Sequence, residues 1–213
     1  MCGITAILYK NNVLDAPIGK HLISMLQSLR HRGSDSTGVT IYSSNNKINE
    51  LIIILRITSF KYDKSVLKIN LTQIIHSHGS QIKEFKFTEN HIKLIITNNK
   101  NIKTLAEQIK SIDNLEIDSV GSNSQVIKDT GDAKDLDKKH NISQISGSHG
   151  IGHVRLATES IVDVTHSHPF WAYPFPDITV VHNGQLTNYR SLKRLYESKG
   201  HKFQTHNDSE LIA

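Results

Sequence analysis

The sequence predicts a domain that mixes α-helices with β-strands and is interrupted by a small α/β insertion. Its 213 residues fit one large domain or one domain with an insertion. The two ends of the chain are punctuated by glycine, whereas isoleucine, lysine and asparagine dominate the middle. We therefore expect one domain over residues 2–213, with a core at 2–44 and 148–213 and an insertion at 45–147.

The core segments alternate short apolar runs with one clear helical repeat. Residues 3–9 and 38–42 are apolar and rich in β-formers, which predicts strands. Between them a helix is expected to start near Pro17 and to end at residues 30–33. The later core is expected to hold strands at 150–156 and 178–182, a helix at 191–198 closed by Gly200, and a helical start at Asp208. Because the chain stops one turn into that last pattern, we expect a domain truncated at its C-terminus.

The insertion reads as strand, helix, strand. Strands are expected at residues 51–57, 92–97, 115–120 and 125–128, and a helix capped by Asn101 at 102–112. Residues 129–140 read as a charged connector that contains a glycine. This order indicates a small α/β unit inserted in a larger domain.

Composition excludes several classes of protein. The net charge is +5, but lysines are scattered rather than gathered in a stripe, so no nucleic-acid partner is expected. No apolar run approaches the roughly 20 residues that span a membrane, and the N-terminus lacks the features of a signal peptide. A single cysteine excludes an internal disulfide and fits a reducing compartment. A cytoplasmic protein without membrane contact is therefore predicted.

Cys2 is that single cysteine, and it directly follows the initiator methionine. Removal of Met1 would give one residue both a thiol and a free α-amine. An α-amine titrates near ~7.7–8.0, so it can accept the thiol proton close to neutral pH. Read alone, Cys2 is better explained by a small buried cysteine near the start of a strand.

Four short motifs remain when the core elements are set aside. They are Cys2-Gly3-Ile4, the run His-Arg-Gly-Ser-Asp-Ser-Thr-Gly at 31–38, Gly-His-Val-Arg-Leu-Ala-Thr at 152–158, and His182-Asn183-Gly184. Asn-Asp-Ser-Glu at 207–210 is a fifth. Each alone is an ordinary turn or strand end.

Together and in this order, the motifs resemble the class II glutamine amidotransferase domain of the N-terminal-nucleophile hydrolase superfamily. The resemblance covers residues 2–42 and 148–213. Within that family, residues 126–131, 150–160 and 165–170 are most similar to separate glutaminase subunits of glutamate-synthase-like systems, including N-methylglutamate synthase. The resemblance implies an α+β fold, a four-layer αββα sandwich with a small α/β insertion.

The resemblance also implies the reaction, which is hydrolysis of glutamine to glutamate and ammonia. Cys2 would attack the side-chain amide, with its own amine as base. Asn183, through its side chain, and Gly184, through its backbone N–H, match the donors that stabilise the oxyanion.

Four further residues match the glutamine pocket. Arg155 suits the α-carboxylate because a guanidinium fork matches two oxygens, and Thr158 could add a hydroxyl donor. Asp208 suits the α-ammonium. His168 matches a residue of the pocket wall, although a histidine satisfied by backbone in a turn explains it equally well.

Arg32 and Asp35 match a signature turn and are expected to orient the N-terminal segment. A purely structural role for this pair is equally plausible. His166 and His168 could be read as a metal pair, but we expect no metal ion in this chain.

No cofactor is expected in this chain, and a flavin or an iron–sulfur cluster would belong to a partner subunit. A lone glutaminase would waste its ammonia, so the resemblance implies glutamine as substrate and a synthase subunit as partner. Three alternatives stay open. They are the N-terminal piece of a longer synthetase of the asparagine, aminosugar or phosphoribosylamine type, a silent regulatory protein with this fold, and an acylase with the same nucleophile.

Overall fold

The computed structural model describes residues 2–10, 16–43, 49–59, 62–97, 101–157 and 162–213. The chain divides into two compact units. The first unit consists of residues 1–44, 126–172 and 179–213, and the second of residues 45–125 and 173–178. Residues 126–147, which the sequence analysis assigned to the insertion, lie in the first unit.

Helices and antiparallel strands are mixed in both units, and the expected α+β class is confirmed at this level. The elements follow one another as β1 (Gly3–Leu8), α1 (Ile18–Ser28), β2 (Ser36–Tyr42), β3 (Glu50–Ile57), α2 (Lys64–Ser77), β4 (Ile82–Thr88), β5 (His91–Thr97), α3 (Ile102–Lys110), β6 (Leu115–Gly121), β7 (Ser124–Thr130), α4 (Ala133–His140), β8 (His149–Arg155), β9 (Phe170–Trp171), β10 (Thr179–Val180), α5 (Tyr189–Ser198) and α6 (Asp208–Ile212).

The first unit is built on a four-stranded sheet in the order β1-β8-β2-β7. Strand β8 pairs antiparallel with both β1 and β2. Helix α1 covers one face, since its apolar stripe of Ile18, Leu22 and Leu26 is fully buried in one cluster with Val39 and Val154. This packing fixes which residues of each strand point to the opposite face.

The register of that sheet gathers three motifs at one end. Gly3 pairs with Val154, so the start of β1 lies beside the end of β8. Ser36 pairs with Arg155, which brings the start of β2 to the same place. Cys2, Arg155 and the turn before Ser36 therefore converge, although they are far apart in the sequence.

The face of this sheet turned away from α1 carries exposed apolar side chains on β1. Ile4 is 41% exposed and Leu8 is 71% exposed. Among the described residues, the first unit contains one other sheet, the separate two-stranded pair β9–β10. The four-layer αββα sandwich would require a second large sheet, and it stays a prediction.

The second unit has the order β3-α2-β4-β5-α3-β6 and a sheet in the order β4-β5-β3-β6 with antiparallel neighbours. This is the ferredoxin-like arrangement. Its core is formed by residues that are at most 1% exposed on the helices and central strands: Leu71, Ile75, Leu105, Ile109, Ile53, Leu55, Ile92 and Leu94. The sequence predicted a small α/β unit here but did not identify α2 and β4.

One expectation for the later chain was wrong. The residues read as a charged connector contain helix α4, whose first turn is closed by a reciprocal capping box between Asp132 and Asp135. The helix predicted near 191–198 and the cap at Asn101 are confirmed. Within the described segments no helix combines the length and apolarity needed to cross a membrane.

Candidate active site

The carbonyl oxygen of Cys2 is held by two side chains from distant parts of the chain. Nε of Arg32 donates to it at 2.9 Å, and Nδ2 of Asn183 donates to it at 2.9 Å. The structure therefore brings together the predicted nucleophile, one residue of the signature turn and one predicted oxyanion donor. Both hydrogen bonds hold the main chain of Cys2, and neither involves its thiol.

The thiol of Cys2 is partly exposed and has no disulfide partner. Its Sγ lies 4.0 Å from the carbonyl oxygen of Leu156, just beyond the end of β8. A reactive cysteine needs such partial access, since a fully buried thiol is inert.

The signature turn also holds the end of β8. Oδ2 of Asp35 accepts the backbone N–H of Ala157 at 2.8 Å, and the backbone N–H of Asp35 donates to the carbonyl oxygen of Arg155 at 3.1 Å. A Cβ on Gly33 would lie 2.5 Å from the carbonyl carbon of Arg155, so only glycine permits this close approach. The contacts of Arg32 and Asp35 match the expected orienting role, which itself stays a prediction.

Arg155 ends β8 and is 6% exposed. Alternation along the strand places it on the same face as His153, away from α1. Its positive charge contributes to lowering the pKa of His153, His168 and Asp163. Thr158, expected beside it, lies outside the described residues.

His168 forms a buried stack with a residue to which the sequence gave no role. Its ring lies parallel to the ring of His153, with centroids 4.2 Å apart, and meets Phe170 edge-on at 4.9 Å. Nδ1 of His168 accepts the backbone N–H of His182 at 3.3 Å, and the ring of His153 hydrogen-bonds to the backbone of the same residue. Both imidazole rings therefore bond to the backbone of His182, the residue that precedes Asn183.

This geometry is the one expected of a histidine whose hydrogen bonds are satisfied by backbone, because the ring of His168 is 5% exposed and accepts a backbone N–H. Direct contact with glutamine stays a prediction. Burial lowers the pKa of His168 to about 2, helped by the positive charge of Lys128. Burial likewise lowers the pKa of His153 to about 4. Both rings are therefore neutral in the folded chain at neutral pH.

We expect the free energy of unfolding to fall as the pH is lowered from about 6.5, because the unfolded chain then binds protons that the buried rings do not. The loss extends to about pH 4 for His153 and to lower pH for His168. Each ring contributes up to about 1.4 kcal/mol per pH unit in this window. Urea unfolding at a series of pH values measures the slope.

His168→Asn tests this assignment, because its Oδ1 can still accept the N–H of His182. The variant should show a shallower pH dependence between 6.5 and 4 than the wild type. Replacing the exposed His76, His76→Asn, should leave the slope unchanged. An identical slope in His168→Asn and the wild type would contradict the assignment.

Lys128 supports the loop that carries His168. Its Nζ is buried and donates to the carbonyl oxygens of Ser167 at 3.1 Å and Pro169 at 3.4 Å. It also lies 5.1 Å from the ring centroid of Phe170. The lysine thereby ties β7 to both sides of His168.

Asp208 joins the same region from the end of the chain. Its Oδ2 accepts the backbone N–H of Leu186 at 2.6 Å, two residues after Gly184. The next residue, Ser209, lies with its Oγ 3.0 Å from Nδ1 of His182. Helix α6 thus holds the segment 182–186 from one side, and the part of Asp208 in binding an ammonium group stays a prediction.

His166 and His168 have separate surroundings. Nδ1 of His166 lies 2.8 Å from both carboxylate oxygens of Asp163, whereas His168 is in the stack. Burial would raise the pKa of Asp163, but the hydrogen bonds from His166 outweigh it and lower that pKa. Within the described segments, no three histidine, cysteine, aspartate or glutamate side chains gather in a way that could hold a metal ion.

His153, His182 and Lys128 belong to this site, although the sequence assigned no role to any of them. For His153 a clue was available, since it lies two residues before Arg155 in a predicted strand and so shares its face. His182 and Lys128 lie inside the quoted stretches 182–184 and 126–131, but neither stretch indicates what these two side chains contact.

Comparisons with known proteins agree on one family. A family model described as "Glutamine amidotransferase domain" matches residues 118–213. A "Putative glutamine amidotransferase" of Methanothermobacter thermautotrophicus is 36% identical over 217 residues, covering 100% of this chain and 70% of that protein. A "Glutamine amidotransferase-like protein GlxB" of Rhizobium meliloti is 29% identical, covering 100% of this chain and 68% of that protein.

A glutamine–fructose-6-phosphate aminotransferase of Bos taurus is 26% identical over 100% of this chain, which covers 22% of that longer protein. The fold and the converging motifs agree with these matches. The chain belongs to the glutamine amidotransferase family.

Proposed function

We propose that this protein is a class II glutaminase, an N-terminal-nucleophile hydrolase that converts glutamine to glutamate and ammonia through a thioester on Cys2. The observation that carries the proposal is the 2.9 Å hydrogen bond from Nδ2 of Asn183 to the carbonyl oxygen of Cys2. It puts an amide donor against the main chain of the one cysteine in the sequence. The family membership of the chain supplies the substrate class.

The chemistry follows from the groups present once Met1 is removed. The α-amine of Cys2 takes the thiol proton, and the thiolate attacks the side-chain carbonyl carbon of glutamine. The carboxamide of Asn183 has two N–H donors, so one can hold Cys2 while the other faces the oxyanion. The backbone N–H of Gly184 is the second oxyanion donor in this proposal.

The intermediate then collapses. The C–N bond breaks, and the leaving nitrogen takes the proton from the α-ammonium and departs as ammonia. Water, deprotonated by the same amine, attacks the thioester, and glutamate leaves as the thiol is restored. One water is consumed for each glutamine, and the amine acts first as base and then as acid.

Recognition of free glutamine needs a cation and an anion on either side of the thiol. Arg155 ends the strand beside Cys2 and is assigned the α-carboxylate. Asp208, held against the segment after Gly184, is assigned the α-ammonium. Thr158 is assigned a hydroxyl contact on the strength of the resemblance alone.

The ammonia is proposed to pass to a separate glutamate-synthase-like subunit, because free ammonia at neutral pH is mostly ammonium and is a poor nucleophile. The match to a glutamine–fructose-6-phosphate aminotransferase supports the alternative in which the glutaminase is the N-terminal part of a longer synthetase. We further propose that the protein acts in the cytoplasm and that this chain itself holds no cofactor.

Ammonia release tests the proposal. The purified protein should release ammonia from glutamine but not from a peptide with internal glutamine, and a synthase partner should raise the rate. A reactive glutamine analogue, 6-diazo-5-oxo-norleucine, should add to Cys2 in mass spectra. Release of no ammonia, or a label on another residue, would refute the proposal.

Arg155→Ala is expected to raise KM for glutamine about 10- to 100-fold, with a smaller change in kcat. The reason is that a charge-assisted pair contributes about 1.5–3 kcal/mol to binding. Steady-state kinetics separate the two constants. Arg155→Lys keeps the charge but not the planar fork, so it should recover part of the binding, and an unchanged KM in Arg155→Ala would remove the assigned role.

A further inference from the structure

The chain leaves the first unit just before the oxyanion segment and returns within a few residues. Ala172 belongs to the first unit, residues 173–178 belong to the second, and Thr179 begins β10 in the first. Two residues then separate Val180 from Asn183. The conformation of 173–178 therefore sets where the strand leading to the oxyanion donors begins.

Asp177 anchors this hexapeptide to the turn between β6 and β7. Its carboxylate accepts three backbone N–H groups, from Ser122 at 2.9 Å, Asn123 at 2.9 Å and Ser124 at 2.8 Å. The backbone N–H of Asp177 also donates to the carbonyl oxygen of Val120 at 3.2 Å. A charged acceptor with three donors makes a strong, directional anchor.

The turn is shaped to admit this carboxylate. A Cβ on Gly121 would lie 2.4 Å from Oδ1 of Asp177, so any larger residue there would displace it. Asp177 itself has φ +61°, in the left-handed region that aspartate tolerates better than most residues. Backbone strain of this kind persists only where surrounding contacts enforce it.

The other end of the hexapeptide is fixed on helix α3. The hydroxyl of Tyr173 donates to Oε1 of Glu107 at 3.1 Å, and Nζ of Lys110 lies 4.0 Å from the centroid of its ring. Burial raises the pKa of Tyr173 to about 12, helped by Glu107, so this hydroxyl keeps its proton. Both ends of 173–178 are thus held inside the second unit.

The strands on either side need such support. The β9–β10 ladder has only two residue pairs, Thr179 with Trp171 and Val180 with Phe170. A two-stranded ribbon of this length is marginal on its own. Catalytic donors must be held to within about 0.5 Å, and a shift of about 1 Å can cost roughly a hundredfold in rate.

We propose that Asp177 is a positioning residue for the oxyanion donors, because it fixes the conformation of residues 173–178, which join β9 to β10. The inference rests on the proposed function, because it concerns the geometry of the proposed oxyanion donors Asn183 and Gly184. Asp177 touches no reacting atom in this account, and its effect passes through 173–178 and β10.

Asp177→Ala is expected to lower kcat for glutamine hydrolysis about tenfold while KM changes less than about twofold. Asp177→Asn keeps Oδ1 as an acceptor for two of the three N–H groups and should recover most of the rate. Asp63→Ala is the matched control, because Asp63 caps α2 in the same unit by accepting the N–H groups of Ser65 and Val66. It should leave kcat unchanged, and equal effects of Asp63→Ala and Asp177→Ala would overturn the proposal.

Hydrogen exchange separates this inference from the proposed function. Asp177→Ala should speed exchange of the backbone amides at residues 179–184 about tenfold or more, whereas Asp63→Ala should speed exchange only near the start of α2. If the wild type releases no ammonia, the glutaminase proposal fails and the exchange result still decides the positioning role. Unchanged exchange at 179–184 in Asp177→Ala would refute it.

Discussion

Cys2→Ala is expected to abolish glutamine hydrolysis, lowering the rate by at least about 10⁴-fold, and to leave the fold intact. Without sulfur no thioester can form, and the oxyanion donors alone contribute a small residual rate. The side chain is partly exposed and its Sγ has only a long contact with the carbonyl oxygen of Leu156. Removing it should therefore change the free energy of unfolding by less than about 1 kcal/mol.

Ammonia release measures the effect, and circular dichroism with thermal unfolding checks the fold. Mass spectrometry of the wild type should show that Met1 is absent, since the mechanism needs the α-amine of Cys2. Cys2→Ser retains a hydroxyl that the amine activates poorly, and it should remain at least about 10³-fold slower than the wild type. Substantial activity in Cys2→Ala, or full activity with Met1 retained, would contradict the nucleophile assignment.

The sequence predicted the residues of this site better than their arrangement. Cys2, Arg155 and Asn183 stand in distinctive short motifs, so they could be picked out without coordinates. Cys2 and Arg155 meet because of the antiparallel register of β8 with β1 and β2, which no local pattern specifies. Contacts to main-chain atoms, such as the hydrogen bonds of His153 and His168 to the backbone of His182, cannot be predicted from the sequence.

The misassigned elements share a physical cause. Helix α4 buries only Ala133 and Leu136, so its apolar periodicity is too sparse to mark a helix. Its capping box uses aspartate at the third helical position, where glutamate or glutamine is the usual marker. In the second unit, α2 buries three residues and β4 is an edge strand with an interrupted register. Tertiary packing, rather than local pattern, fixes these elements.

The end of the insertion likewise depends on tertiary packing rather than on local sequence pattern. The change in composition after residue 44 coincides with the start of the second unit. The return to the first unit at residue 126 falls inside a strand, where composition does not change. The excursion at 173–178 is too short to be detected by composition.

Asn183→Ala is expected to lower kcat for glutamine hydrolysis about 10²- to 10³-fold, which is the usual cost of losing one oxyanion donor. KM should change only a few-fold, because the donor acts on charge that develops in the transition state. Asn183→Asp should be at least as slow, since a carboxylate would repel the oxyanion. Labelling by 6-diazo-5-oxo-norleucine, followed by mass spectrometry, reports whether Cys2 is still accessible and reactive.

Asn183 has a second contact whose loss could mimic this effect, namely its hydrogen bond to the carbonyl oxygen of Cys2. Arg32→Ala removes the other donor to that oxygen and so shows what loosening Cys2 does by itself. Asn188→Ala, which replaces an exposed asparagine without a capping hydrogen bond, should leave both constants unchanged. If Asn183→Ala is no slower than Arg32→Ala, Asn183 holds the nucleophile in place and is not the oxyanion donor.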